Sequence, residues 1–381
     1  MLEPVPGSML TRLRAASQRP AAMIPPAGTV SLAVGDPDFV TPQPIVDAAI
    51  NALTAGFTHY ADWNGEPDLR ELIAEVENER SVIPYTAHEA VVGHGANGVL
   101  MSAILAAVNP DDRVVVPEPT YSLYADLIAL AGGVTDYVPL AADLHLDLAG
   151  IEAALPGARL LILCNPGNPT GAVFARSELE AVAALAQRHG VLVIVDEAYA
   201  DLVYDDTDFT RATSVEGWHD NLVVCQTLSK TFAMTGWRLG WALAPGWLAE
   251  GMRQINATTI GALNTVVQKA AIAALRAGPD VAGYMLDVYA ERRRFIVDRI
   301  AQIEGLHAHV PEGAFYVFAA YDAEIGSMEL ARMLLARGVA VRPGREYGPS
   351  GEGHIRLSFA TDLRTIALGL DRIEKLLAEL G

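Results

Sequence analysis

Lysine is nearly missing from this chain. Of 27 basic residues only three are lysines, Lys230, Lys269 and Lys375, and arginine supplies the rest. An amine forms covalent bonds to carbonyl carbons that a guanidinium cannot, so each remaining lysine poses a chemical question. Cysteine is scarce too. Cys164 and Cys225 lie in the apolar runs LLILCNP and NLVVCQT, which excludes a disulfide scaffold and fits a reducing compartment. Positive charge is short overall: 46 acidic residues leave a net charge of −19. Nucleic acid and anionic membranes both require the opposite, a basic footprint. Long hydrophobic runs are also lacking. The longest, Gly98 to Val108, is about eleven residues, too short for a bilayer. The opening MLEPVPGSMLTRLRAASQ has no apolar stretch of the kind an export signal needs. The expectation is a soluble cytoplasmic protein with no nucleic-acid, membrane or metal site.

What the chain does have is apolar bulk. Hydrophobic residues make up 51% of 381 and charged ones 19%, enough for a sizeable core. The length suggests two domains, or one large domain with an appendage. The first thirty residues, with Pro4, Pro6, Pro20, Pro25 and Pro26, read as an arm. Helical periodicity marks 43–55 and 66–79. From about residue 90, short apolar runs (EAVV, RVVV, LLILC, VLVIV, NLVVC) alternate with the helical stretches 97–108, 121–131 and 176–189. That rhythm predicts a buried parallel sheet with crossover helices, and RLGWALA at 238–244 is a candidate further strand. The chain then reads as mostly helical to Glu304. Strand candidates at 314–320, 339–342 and 354–359, with helices at 327–337 and 362–379, predict a smaller α+β unit. The expected division is an arm and start of the small domain at 1–40, a large domain at 41–284 and a small C-terminal domain at 285–381.

Several segments carry chemistry. Gly93-His94-Gly95-Ala96-Asn97-Gly98 fits G-x-G-x-x-G between a strand and a helix, with Glu118 about twenty residues on. Three readings stay open: a dinucleotide site, a phosphate held by bare N–H groups at a helix start, or a tight turn. Asn165-Pro166-Gly167-Asn168-Pro169-Thr170-Gly171 forces a stiff turn after LLILC. That turn lies at the sheet edge where open α/β folds place ligands. Asp196 closes VLVIV, where a carboxylate at a strand tip needs a partner. Lys230 follows NLVVC amid the hydroxyls of Thr227, Ser229, Thr231 and Thr235 and the guanidinium of Arg238. Hydroxyls with arginine make a phosphate cradle, and the amine beside them suggests a phosphorylated ligand bound covalently. Lys269 and Lys375 read as surface charges on helices. Arg356, inside the apolar GHIRLSFA, demands an anion: an internal ion pair or a substrate carboxylate.

Together, NPGNPTG, VDEAY, TLSKTFAMTGWRLGW and IRLSFA, supported by AVGDPDF and HYADWNGEPDLRELI, resemble the class I/II aminotransferases. These are fold-type-I enzymes that use pyridoxal 5′-phosphate (PLP). The resemblance runs from about Leu32 to the C-terminus. It implies an α/β fold: a large domain with a mostly parallel seven-stranded sheet between helices, plus a smaller α+β domain. It implies a Schiff base at Lys230, Asp196 at the ring nitrogen, Asn168 and Tyr199 at the ring's phenolic oxygen and Tyr121 stacked on the ring. Gly95, Ala96, Asn97, Thr227, Ser229 and Arg238 would hold the phosphate. Tyr60 would reach the phosphate of the partner subunit, which implies a homodimer with shared sites. Arg356 would clamp the substrate carboxylate opposite the backbone of Gly35. Many aspartate-specific relatives carry a lysine where this chain has Asn97, and Arg342 and Arg345 are the nearby candidates for a second carboxylate contact.

The activity implied is transfer of an α-amino group between an L-amino acid and a 2-oxo acid. The same scaffold also supports β- or γ-elimination, replacement and cyclisation. A nicotinamide oxidoreductase built on the GHGANG turn would leave Lys230, Asp196 and Arg356 without a role. A transcription regulator of this fold would carry an added DNA-binding domain.

Overall fold

The computed structural model describes residues 7–20 and 25–380. Pro4 and Pro6 of the expected arm lie outside the described residues. The rest of that arm is not merely extended: Ser8–Ala16 forms a helix, α1, which packs on the later helix over Leu123–Ala131. Next come a two-residue strand, β1 (Val30–Ser31), and two amphipathic helices, α2 (Gln43–Thr54) and α3 (Pro67–Asn78). Each of these helices opens with proline in its first turn, where the missing N–H costs nothing.

The alternating region follows as β2 (Ala90–Gly93), α4 (Gly95–Ala107), β3 (Arg113–Glu118), α5 (Leu123–Ala131) and β4 (Val134–Pro139). It continues with α6 (Leu148–Ala154), β5 (Ala158–Cys164), α7 (Arg176–His189), β6 (Leu192–Asp196), β7 (Leu222–Thr227) and β8 (Gly240–Leu243). These strands form one seven-stranded sheet in the order β2-β8-β7-β6-β5-β3-β4. All are parallel except β8, which pairs antiparallel with both neighbours. The alternation of side chains sorts the strands between two cores. Val114, Val116, Leu160, Ile162, Ile194 and Val223 face α4 and α5 on one side. Val115, Leu161, Leu163, Val193, Val195 and Val224 face α7 on the other. Each such side chain, fully buried, stabilises the fold by roughly 1.5–3 kcal/mol relative to exposure. Burial on both faces explains why the strands read as continuous apolar runs rather than alternating ones.

Three helices then lead away: α8 (Gly246–Thr259), α9 (Thr265–Ala277) and α10 (Gly283–Ile300). The final segment holds β9 (Leu306–Ala308), β10 (Tyr316–Tyr321), α11 (Ser327–Ala336), β11 (Val339–Ala340), β12 (Arg342–Pro343), β13 (His354–Ser358) and α12 (Leu363–Leu380). Its four-stranded sheet, β12-β13-β10-β9, is antiparallel throughout.

Two expected strands differ in detail. The candidate at 339–342 splits: Val339–Ala340 pairs in parallel with β1, and Arg342–Pro343 joins the four-stranded sheet. The candidate at 238–244 starts only at Gly240, because Arg238 sits in the left-handed region at φ 59°. Expectation also missed β4, whose run VTDYVP is half exposed at the sheet edge and lacks a continuous apolar core. Among the described residues no helix is long and apolar enough to cross a membrane.

Candidate active site

The parallel strands all end on one edge of the large sheet, and the segments beyond their carboxyl ends converge there on a cavity of about 380 Å³. Asp196 is the last residue of β6, level in register with Cys164 of β5 and Cys225 of β7. Its carboxylate is buried. Tyr124 donates its hydroxyl proton to one oxygen at 2.8 Å, and the Ala198 N–H donates to the other at 3.1 Å. Burial pushes its pKa up to about 6, against the pull of those two hydrogen bonds and of Lys230. Both thiols are buried and unpaired. Cys164 lies beside this carboxylate, and burial pushes its pKa up to about 12, so it stays a thiol and fills space.

Lys230 follows β7 through the turn Leu228-Ser229, and its Nζ donates to the Gly35 carbonyl oxygen at 2.7 Å. Burial drives the amine down to about 8 from 10.5. The Arg356 and Arg238 charges act in the same direction, and Asp36 and Asp196 oppose it. Near neutral pH an appreciable fraction of this amine is therefore uncharged and nucleophilic, as free lysine is not.

The phosphate-sized end of the cavity is built from three segments. Gly95 (φ 69°) turns the chain from β2 into α4, and a Cβ there would come within 2.8 Å of the Arg238 guanidinium. The turn bares the helix start at Ala96 and Asn97, an anion-binding geometry. Thr227 Oγ1 and Ser229 Oγ lie 2.9 Å apart. Arg238 is held by the Thr235 carbonyl at 2.8 Å and faces no carboxylate among the described residues. The left-handed backbone of Arg238 is uncommon outside glycine and costs about 1–2 kcal/mol. Such strain is typical of a residue aimed at a ligand. Thr231, grouped with this cradle on sequence grounds, points the other way and donates to Asp201 at 2.8 Å.

Opposite Lys230, Arg356 rises from β13. It donates to Asn168 Oδ1 at 3.0 Å and to the Ala33 carbonyl at 2.5 Å, and its guanidinium lies 4.1 Å from the Tyr316 ring centroid. No carboxylate pairs with it among the described residues, and its Nε has no partner. The internal ion pair weighed for this residue is therefore not what the structure shows. Tyr199 OH meets Tyr316 OH at 2.8 Å, and Tyr121 packs edge-on against Tyr124.

Of the residues singled out from sequence, Lys230, Asp196, Tyr199, Ala96, Asn97, Tyr121, Asn168, Thr227, Ser229, Arg238, Gly35 and Arg356 all line this one cavity. Gly95 shapes it from behind. Tyr60 does not reach it: the residue is 94% exposed and borders a separate surface hollow with Phe57 and Leu263. Arg345 is also outside, whereas Arg342 lines the wall. Sequence reasoning missed Tyr316, Tyr347, Arg19 and Glu346, which only folding brings beside the strand ends, and also Ser122 and Tyr124, which follow Tyr121 just past the end of β3. Lys269 is no simple surface charge, because it forms a half-buried ion pair with Glu66 at 3.0 Å.

The dinucleotide reading of GHGANG fails on topology. In this fold β2 stands at the sheet edge beside the antiparallel β8, so the turn opens no βαβ pair with a neighbouring parallel strand. Glu118 is buried elsewhere and accepts from Ser350 Oγ at 2.7 Å. What remains is an anion cradle, an amine, a carboxylate beyond it and a lone guanidinium.

Residues 27–373 match the family model "Aminotransferase class I and II". The chain belongs to the class I and II aminotransferases. It is 36% identical to an aspartate aminotransferase of Pyrococcus abyssi, with 92% of each chain covered. It is 35% identical to the arginine–pyruvate transaminase AruH of Pseudomonas aeruginosa, over 92% of this chain and 90% of that one. The solved aromatic aminotransferase of Pyrococcus horikoshii superimposes with a TM-score of 0.90 at 33% identity, covering 97% of this chain and 99% of that one. Members of this aminotransferase family use PLP. The residues here fit that cofactor: an uncompensated Arg238 beside a bare helix start suits a phosphate, and a buried Asp196 in need of a cation suits a ring nitrogen.

Proposed function

We propose that this aminotransferase moves the α-amino group of an L-amino acid to a 2-oxo acid, with Lys230 as the residue that bonds the cofactor and carries the proton. The single observation behind this reading is the Lys230 amine, which burial, aided by two guanidiniums without carboxylate partners among the described residues, brings down to about 8 beside a buried carboxylate. PLP, when bound, supplies an electron sink for the pair released at the substrate α-carbon. The chain does the rest. Arg238, Ser229, Thr227 and the Gly95-Ala96-Asn97 turn grip the phosphate. The Asp196 carboxylate holds a proton on the ring nitrogen, and in return its own buried charge is compensated. Asn168 and Tyr199 would hydrogen-bond the phenolic oxygen, and Tyr121 would pack against the ring. Arg356 and the Gly35 backbone fix the substrate carboxylate, which sets the α C–H bond toward the Lys230 Nζ. Lys230 Nζ would act as the base that accepts this α-proton and later gives it back.

A second copy completes the reading. Tyr60 stands exposed in a surface hollow that Leu53 and Phe57 also line, each at least 41% exposed. Contiguous apolar exposure of this kind suits a homodimer in which Tyr60 reaches the partner's phosphate site.

Mixing the PLP-loaded protein with an amino-acid panel tests the reaction. The expected result is one 2-oxo acid per site without ammonia, and borohydride treatment beforehand fixes the cofactor mass on the Lys230 peptide. Ammonia or thiol release in place of stoichiometric oxo acid would instead establish elimination.

A further inference from the structure

The cavity wall beyond Arg356 carries charges to which the proposed function assigns no role. Arg342 of β12 stands directly opposite Arg356 of β13 in the antiparallel register. Residues opposite one another on neighbouring strands share a face, and both of these line the cavity. Two guanidiniums side by side would suit a substrate with two carboxylates. Glu346 prevents that. It is only 4% exposed, lines the same cavity and forms an ion pair with Arg342. Its Oε1 also accepts from Ser122 at 3.2 Å, while its Oε2 has no partner among the described residues. A buried carboxylate left half satisfied is costly, so stability does not account for it. Arg19, the other guanidinium at this end, faces Asp126 at 3.6 Å.

The guanidiniums of the cavity therefore fall into two sets. Arg19 and Arg342 have resident carboxylates. Arg238 and Arg356 have none among the described residues, and they match two incoming anions: the cofactor phosphate and one substrate carboxylate.

We propose that Glu346 is a specificity-determining residue that occupies, on Arg342, the place a substrate's side-chain carboxylate would take, and so restricts this enzyme to amino acids without a second carboxylate. The inference rests on the aminotransferase reading above. A side-chain carboxylate entering here meets an arginine whose charge Glu346 already balances. A neutral side chain needs no counter-charge from the wall, which Tyr347, Val34 and Ser122 also line.

The test uses the PLP-loaded enzyme and the ratio of kcat/KM for L-aspartate and L-glutamate to that for L-leucine and L-phenylalanine. The ratio is expected to lie well below one in the unaltered enzyme. Glu346→Gln, which keeps the shape and removes the charge, should raise it at least about tenfold, the scale of one charge-assisted hydrogen bond. Adding Arg342→Leu should cancel the gain. Maleate, a dicarboxylate that cannot react, gives a readout independent of turnover. In calorimetry its Kd should fall at least about tenfold in Glu346→Gln and return in the double variant. A preference for dicarboxylates in the unaltered enzyme, or a ratio and a maleate Kd that Glu346→Gln leaves unmoved, overturns the proposal. If no amino acid at all is converted, the aminotransferase reading fails instead, and maleate binding still decides whether Glu346 masks Arg342.

Discussion

Lys230 differs from an ordinary lysine through its surroundings. Its amine is taken out of water, flanked by Arg356 and Arg238, and balanced only in part by Asp36 and Asp196. Each effect except the last disfavours the ammonium form, so the neutral amine becomes the dominant species above about pH 8 instead of above 10.5. In the cofactor-free protein, the rate at which Lys230 condenses with an added aldehyde should therefore climb as pH rises through about 8 and level off beyond it. Arg238→Ala should shift that midpoint upward, because removing a neighbouring positive charge favours the protonated amine. Peptide mapping after borohydride trapping across the pH range gives the curve. A midpoint near that of free lysine would show that the pocket does not tune the amine.

Single side chains act only because the elements hold them, and the antiparallel strand β8 illustrates how. It runs antiparallel to β2 and β7 and ties the two together. At Gly240 a Cβ would meet Gln226 O, the Ala96 N and the Gly95 carbonyl carbon, all backbone atoms at 2.7 Å. Backbone cannot rotate away as a side chain can, so Gly240→Ala must push β8 off the Gly95-Ala96 turn. Overpacking of this kind costs about 1–3 kcal/mol. A lower melting temperature and a PLP affinity weakened by about tenfold or more are expected, measured by calorimetry and by cofactor titration. Unchanged cofactor affinity would show that β8 does not brace the phosphate turn.

At the scale of the whole molecule, one chain gathers every proposed site residue except Tyr60. If two copies share their sites, each site draws Lys230 from one chain and Tyr60 from the other. A Tyr60→Ala chain and a Lys230→Ala chain, each impaired alone, should then complement one another when unfolded and refolded together. The hybrid contains one site with both residues intact. Activity above the sum of the parents, together with a dimer mass in sedimentation, is the expected outcome. No gain on mixing would place Tyr60 outside the neighbouring site.

The order of the buried strands and of the helices between most of them was legible in the sequence, because strands buried on both faces must be apolar throughout and because prolines and glycines punctuate them. α7 was read at its observed bounds for that reason. The local motifs were legible too: Lys230, Asp196, Asn168 and Arg356 each interrupt or end an apolar run, where a polar group needs a purpose. Folding alone decided which of these motifs meet. It set β2 at the sheet edge beside an antiparallel strand, which removed the dinucleotide reading of GHGANG. It turned Thr231 away from the cradle toward Asp201, since neighbouring residues in a turn point in different directions. It also laid Arg342 against Arg356 and seated Glu346 on Arg342. No local pattern encodes that arrangement, because the charge balance of a cavity depends on residues far apart in the chain whose side chains come together only when two strands pair.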